Sequence, residues 1–314
     1  MHNVTKVKCV QASQCSTTGK KIFTLEMEYP RVIHSQLLTH GVFSKNSSST
    51  RAVPLKAAIA QLVENPAEYV WTKNQSGMQG EVIPQSDHKT LNRVLEMARN
   101  SAISFAEYLN DAEDTGGLGV HKQNAGRLLE PFQNIKIVLT STEWKNWDWL
   151  RYHPDAQGEI SDLAVAMKEA RDNADVMIIN KDEWHVPYVE RLLVNGNVEY
   201  RANDETISSS EAKLISSSVC AQLSYRKADT SLQKAIKMSG MLIDGERVHA
   251  SPFEHQATPV SKTIDCGDFA AIFFNLPSGV THVDVDGTIC SANFKQWIQH
   301  RQLIKNHDGE KLSD

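Results

Sequence analysis

Apolar and polar positions alternate from Lys20 to Tyr29, with Phe23, Leu25, Met27 and Tyr29 on one side and Ile22, Thr24, Glu26 and Glu28 on the other. A period of two over that length predicts a half-buried strand, which Pro30 ends. Over 32–42 the spacing of Ile33, Leu37 and Leu38 turns helical, and the Ser-rich run 44–51 (SKNSSSTR) reads as a loop. Leu91, Val94, Leu95, Ala98, Ile103 and Phe105 predict a helix over 88–109, bounded by the turn at Gly116, Gly117 and Gly119. A further helix starts near His121, and 135–139 (IKIVL) reads as a short strand. Ile160, Leu163, Ala164 and Met167 place one apolar face on a helix over 156–170. Ser209, Ser210 and Glu211 mark another helix start, continued by Leu214, Val219 and Leu223, and 232–242 is a last helix.

These elements predict an α/β (α+β) fold, a mixed sheet with helices. Residues 187–210 are more polar around Gly196 and read as a linker or insertion between two parts. The chain has 314 residues, 40% hydrophobic and 23% charged, the profile of a folded protein rather than a disordered one. Its formal charge of -5 argues against a surface built for direct nucleic-acid binding, which needs clustered Lys and Arg. Because no run reaches membrane-spanning length and the first residues lack a signal-peptide apolar core, a cytoplasmic location without membrane contact is expected. Five cysteines without a Cys-x-x-Cys pair read as reduced thiols, with Cys9, Cys220 and Cys266 expected to be buried structural residues.

Three stretches carry candidate chemistry. Ser44, Asn46, Ser47, Ser48, Ser49 and Thr50, closed by Arg51, offer short donors and one cation to a phosphate, or form a polar surface linker. Arg127 and Arg151 each sit among large apolar residues, where a guanidinium needs either an anionic ligand or a carboxylate in a buried salt bridge. Glu254 beside His255 is a turn pair that caps or pairs structurally more often than it catalyses. The glycines at 116, 117 and 119 match neither a P-loop nor a dinucleotide fingerprint.

Taken together, these segments resemble flavin-dependent thymidylate synthases, especially the longer phage-type branch. That family's signature is an Arg-His-Arg triplet followed by Ser, Asn, Ser and Arg. The run 39–51 (THGVFSKNSSSTR) keeps the His, both serines, the Asn and the last Arg. Thr39 and Gly41 replace the triplet arginines, and Ser47 stands where the family usually has Glu. The runs 126–131 (GRLLEP), 146–151 (NWDWLR) with Ala156, Gln157 and Glu159, 221–225 (AQLSY) and 251–255 (SPFEH) look like further family motifs. In the common short enzymes the last two precede the triplet, so this chain looks circularly permuted. The run 294–301 (FKQWIQHR) also resembles the helix leading into the triplet, which leaves His40 and His300 as alternatives for the residue facing the flavin.

The resemblance implies residues 1–186 as a nucleotide-binding part and 211–314 as a part with flavin motifs, packed with the first as one fold. It implies Arg51, Arg127, Ser47, Ser48 and Ser49 around the nucleotide with Gln36 nearby, and Arg151 as the catalytic contact to the pyrimidine. His40, Asn46, Asn146, Ser224 and His255 would line FAD, with Arg301 a candidate replacement for the lost triplet cations. The implied activity is transfer of a one-carbon unit from methylenetetrahydrofolate to dUMP, giving dTMP with NADPH as reductant, in a homotetramer with sites at subunit contacts. In such chemistry the cofactor relays the carbon and the protein positions it. A pyrimidine nucleotide hydroxymethylase for modified phage DNA and a noncatalytic nucleotide-binding relative are the alternatives.

Overall fold

In the computed structural model, which describes residues 5–309 except 50, 52, 77–79, 154, 225–226, 246 and 261–275, one mixed sheet organises the chain. It contains β1 (Lys6–Cys15), β2 (Lys21–Pro30), β3 (Ser44–Ser47), β4 (Asn134–Ser141) and β5 (Val176–Ile179), in the order β3-β4-β2-β1-β5. β5 joins β1 in parallel, and the other pairings are antiparallel. The helices are α1 (His34–Leu38), α2 (Leu55–Glu64), α3 (His88–Asn110), α4 (Lys122–Ala125), α5 (Lys145–Arg151), α6 (Gly158–Asp172), α7 (Ser209–Ala221) and α8 (Leu232–Ile243). The expected α/β architecture is therefore present.

The alternation along β2 sorts its side chains between two layers. Phe23, Leu25, Met27 and Tyr29 join Ile135, Ile137 and Leu139 of β4 under Trp147 of α5 and Ile160, Leu163, Ala164 and Met167 of α6. Each such side chain contributes about 1.5–3 kcal/mol when fully buried. The opposite face is covered too, because Ile22 packs on Cys15, Ile179, Ala257, Phe294 and Trp297. β2 is a central strand buried on both faces over Ile22, Phe23, Thr24 and Leu25, not half-buried as its alternation suggests. Its polar positions are tolerated because they have partners: Thr24 is hydrogen-bonded, and Glu26 accepts from the Tyr188 hydroxyl and pairs with Lys8 and Lys136.

Residues 187–210, expected as a linker or an insertion, are folded. They form a meander of β6 (Glu190–Val194), β7 (Asn197–Ala202) and β8 (Glu205–Ile207), which shares a core with α7 through Val189, Tyr200, Ala212, Ile215 and Val219. Asn195 and Gly196 have φ of 50° and 82°, and Asn203 and Asp204 have 51° and 65°. Two consecutive left-handed residues give tight turns that match the twist of paired strands. Ser208 and Glu211 then close a capping box on α7.

Other expectations change in detail. The helix over 32–42 shrinks to a 3-10 turn and α1, and the first half of the Ser-rich run is an edge strand whose Ser44 and Ser47 face Thr140 and Ile137 of β4. In α3 the exposed residues include Val94 and Phe105, while Ala106 is buried beside Leu55, Leu62, Ala125 and Leu129. The run 294–301 is not one helix: it is extended up to Gln299, and His300 and Arg301 open a 3-10 turn. β9 (Ala257–Pro259) pairs with β13 (Trp297–Gln299), and β10 (His282–Val283), β11 (Ile289–Ser291) and β12 (Phe294–Lys295) form a second small sheet. Gln296, at φ 61°, turns the chain between β12 and β13, so Phe294 and Trp297 are both buried from extended segments. Cys220 is buried and Cys9 partly so, and burial pushes the Cys9 thiol up to about 11. Thr50, Tyr225 and Cys266 lie outside the described residues.

Candidate functional site

The Ser-rich run leaves β3 at the sheet edge and crosses the end of β4. There the Ser48 amide donates to the Lys136 carbonyl, and its hydroxyl accepts from the Lys136 amide at 3.2 Å. The Ser49 amide donates to Ser224 Oγ at 2.8 Å, and Ser49 Oγ accepts from the Arg51 amide at 3.3 Å. These bonds hold the serines in one curve. Opposite them, the 3-10 segment after α4 presents Arg127, which is exposed, while its neighbour Leu129 is buried.

Between these walls lies a cleft of about 560 Å³ whose lining includes Arg31, Lys45, Arg51, Arg127, Ser48 and Glu130. Ser47, Ser49 and Asn46 line it as well. Four cations face one carboxylate, and that carboxylate is 3.5 Å from Arg31. Among the described residues neither Arg51 nor Arg127 forms an ion pair, so the buried salt bridge weighed for Arg127 is not what holds it. Such a surplus of positive charge with short hydroxyl donors is the chemistry of a phosphate site. A second cavity of about 340 Å³ shares Arg31, Ser48 and Ser49 with the cleft and adds Ser224.

Arg151 stands in a different group. Its Nε donates to His40 Nε2 at 3.3 Å, and His40 packs edge-on against Trp147 with ring centroids 4.8 Å apart. Burial first, then Arg151 and Lys45, lower the His40 pKa below its usual value, so the imidazole is neutral and able to accept. Lys45 links the two groups, because it lines the cleft and donates from Nζ to the His40 carbonyl at 3.0 Å. Gln36 is not in the cleft lining. It donates to Gln157 Oε1 at 2.7 Å, and Gln157 donates to the buried Glu159.

The residues expected against a flavin do not converge on one cavity of the chain. His40 faces Trp147, Asn146 is exposed on α5, and Ser224 is taken up by the Ser49 amide. Asn46 and His255 are bonded to each other at 3.0 Å. Arg301, the candidate replacement for the missing triplet cations, is paired with Glu254 and donates to the His307 carbonyl. His300 is wedged between Trp184 and Phe253, with its pKa pushed down to about 3 by burial and by Lys213. This set does not fit a flavin within a single chain. Lys45 and Arg31 are cleft residues that motif reading missed; the signal for the first was a cation lying inside the Ser-rich run.

No family model matches the chain, and no curated protein matches it. About half of the chain is similar to solved structures of a UMP/dUMP methylase. One is the crystal structure of PolB from Streptomyces cacaoi bound with 5-Br UMP, at 17% identity and a TM-score of 0.41, covering 55% of this chain and 90% of that one. Another is the same methylase bound with 5-Br dUMP, at 15% identity and a TM-score of 0.39, covering 55% and 91%. Among the described residues no group of side chains could hold a metal ion, and no helix is long and apolar enough to cross a membrane.

Proposed function

We propose that the protein binds a pyrimidine nucleotide by its phosphate in the Arg51 and Arg127 cleft and transfers a one-carbon unit to the ring. The observation that carries the reading is the excess of cations there, with Arg31, Lys45, Arg51 and Arg127 facing Glu130 alone. A nucleotide monophosphate supplies the opposite charge, and Ser47, Ser48 and Ser49 supply short donors to its oxygens. The pyrimidine and the one-carbon donor come from the motif resemblance, which points to dUMP and methylenetetrahydrofolate with FAD and NADPH as co-reactants. The contacts expected for the flavin do not line one cleft of the chain together. Arg151, held beside neutral His40, serves in this reading to stabilise negative charge developing on the ring. A homotetramer in which the Arg151 group of one chain completes the cleft of another belongs to the same proposal.

The failure of the flavin set to converge favours one second reading, a noncatalytic nucleotide-binding relative. The test is incubation with dUMP or dCMP, methylenetetrahydrofolate, FAD and NADPH, with products identified by mass and nucleotide binding measured by calorimetry. A methylated nucleotide supports the first reading, and a hydroxymethylated one moves it to a hydroxymethylase. Binding without product supports the noncatalytic relative. Absence of nucleotide binding overturns both.

A further inference from the structure

A continuous line of hydrogen bonds crosses the central sheet from β6 to the cleft. Arg191 donates from one guanidinium nitrogen to Ser13 Oγ at 2.8 Å and from the other to the Ala12 carbonyl at 3.0 Å. Ser13 Oγ is 2.8 Å from His185 Nδ1, and His185 Nε2 is 2.8 Å from Thr24 Oγ1. Thr24 Oγ1 is 2.7 Å from Thr140 Oγ1, which is 2.9 Å from His255 Nδ1. His255 Nε2 is 3.0 Å from Asn46 Oδ1, and Asn46 Nδ2 donates to Ser251 Oγ at 3.2 Å. Ser13, Thr24, Thr140, His185 and His255 have no solvent exposure, while Asn46 and Ser251 line the cleft.

Counting protons gives this line a direction. A guanidinium only donates, a neutral imidazole donates once and accepts once, and a hydroxyl has one proton to give. Burial holds His185 well below its usual pKa and His255 down to about 3, so both rings are neutral. Arg191 occupies Ser13 as an acceptor, and among the described residues the only other partner of Ser13 Oγ is His185 Nδ1. The buried Ser13 proton has no other acceptor among the described residues, so Ser13 donates to Nδ1, which leaves the His185 proton on Nε2, pointing at Thr24. Thr24 donates a hydrogen bond to Thr140 and Thr140 to His255 Nδ1, so His255 carries its proton on Nε2 and donates to the Asn46 carbonyl oxygen. That fixes the Asn46 amide with its nitrogen toward Ser251, leaving a second N–H for the cleft.

We infer that Arg191, at the far end of this line, is a positioning residue that sets the tautomer of His255 and thereby makes Asn46 a hydrogen-bond donor that selects an acceptor oxygen on the ligand. The ligand part rests on the proposed nucleotide function, whereas the tautomer does not. Two sources supply that oxygen, a ring carbonyl of a uracil-type base or a phosphate, and the two are separable by binding.

The experiment is nitrogen NMR of the full chain labelled at histidine, without ligand. His255 and His185 are expected as Nε2–H tautomers in the wild type and in Arg191→Lys, with Arg191→Met showing His255 redistributed toward Nδ1–H. Ser13→Ala, which interrupts the same line with a smaller change in shape, is expected to do likewise and serves if Arg191→Met does not fold. A wild-type His255 with its proton on Nδ1, or an unchanged tautomer in a folded Arg191→Met or Ser13→Ala protein, overturns the inference. For the ligand, Asn46→Ala is expected to weaken dUMP binding by about tenfold, the scale of one hydrogen bond. Weakening of inorganic phosphate to the same extent assigns the acceptor to the phosphate, and unchanged phosphate binding assigns it to the ring. Unchanged dUMP affinity in Asn46→Ala overturns the donor role, while failure of the wild type to bind dUMP defeats the nucleotide reading and leaves the tautomer result standing.

Discussion

Arg151 and His40 form a cation–imidazole contact in which the ring, at 3.3 Å, accepts from the guanidinium. Removing the cation should let the ring protonate more readily, because Arg151 is one of the causes that lower the His40 pKa. In Arg151→Ala the His40 titration, followed by NMR, is expected to move up toward the ordinary histidine range. Turnover at saturating nucleotide is expected to fall at least tenfold, as for a contact that strengthens in the transition state. A change confined to KM would assign Arg151 to ground-state binding instead.

Arg51 and Arg127 should behave differently, since both line the cleft and, among the described residues, neither has a carboxylate partner. Loss of a charged phosphate contact costs about 1.5–3 kcal/mol, roughly tenfold to a hundredfold in affinity. Calorimetric titration of Arg51→Ala and Arg127→Ala with dUMP is expected to show weakening in that range, largest at low salt. Equal affinity in all three proteins would show that the cleft is not the nucleotide site.

Gly158 opens α6 where a side chain has no room. A Cβ there would lie 2.6 Å from Val70 Cγ1 and 2.8 Å from Val70 Cβ, and the adjoining Glu159 carboxylate accepts from the Val70 amide at 2.9 Å. Gly158→Ala is expected to destabilise by about 1–3 kcal/mol, the usual cost of overpacking. Urea unfolding of the variant beside the wild type measures it. Gly41, with open space around its Cβ position and no positive φ, is the contrasting site, where Gly41→Arg should leave the unfolding midpoint unchanged.

Acid should weaken the fold from an unusually high pH. His185 and His255 are neutral in the folded chain and ordinary in the unfolded one, so the unfolded state binds more protons as pH falls below about 6.5. Their contribution is fully present above that pH, and by pH 5.5 each has lost about 1 kcal/mol. Glu26, whose pKa is lowered by Lys136, Tyr188 and Lys8 against its burial, acts only below the ordinary carboxylate range. Urea midpoints at pH 7.5, 6.5 and 5.5 should fall mainly between the last two values. A flat profile over that interval would show that the imidazoles are charged in the fold.

Periodicity located β2, β4, α3, α6, α7 and α8, most directly α6, whose Ile160, Leu163, Ala164 and Met167 form one buried stripe. It did not reveal β3, where the serines pair through backbone groups that side-chain pattern does not report. The meander over 190–207 had a local signal in Asn195-Gly196, the preferred pair for a two-residue hairpin, but its polar outer face resembled a linker. At the site, Arg51, Arg127 and the serines do meet, whereas Arg151 is held beside His40, Gln36 beside Gln157 and Arg301 beside Glu254. Motif reading identifies residue types and spacing. Which side of the sheet each one faces depends on strand pairings between distant segments.

Those pairings also impose a timetable on synthesis. Thr24 and Thr140 meet across 116 positions, and β1 has no parallel neighbour until Val176–Ile179 has been made. The hydroxyls and imidazoles aligned across one face of the sheet must therefore wait in water, or against transient partners, for most of the chain to leave the ribosome. Contacts so remote in sequence are slow to close, whereas the local pair of α7 and α8 can associate as soon as both are made. The sheet should consequently be the last region of the molecule to gain protection against amide exchange during refolding, although it is the most deeply buried once formed.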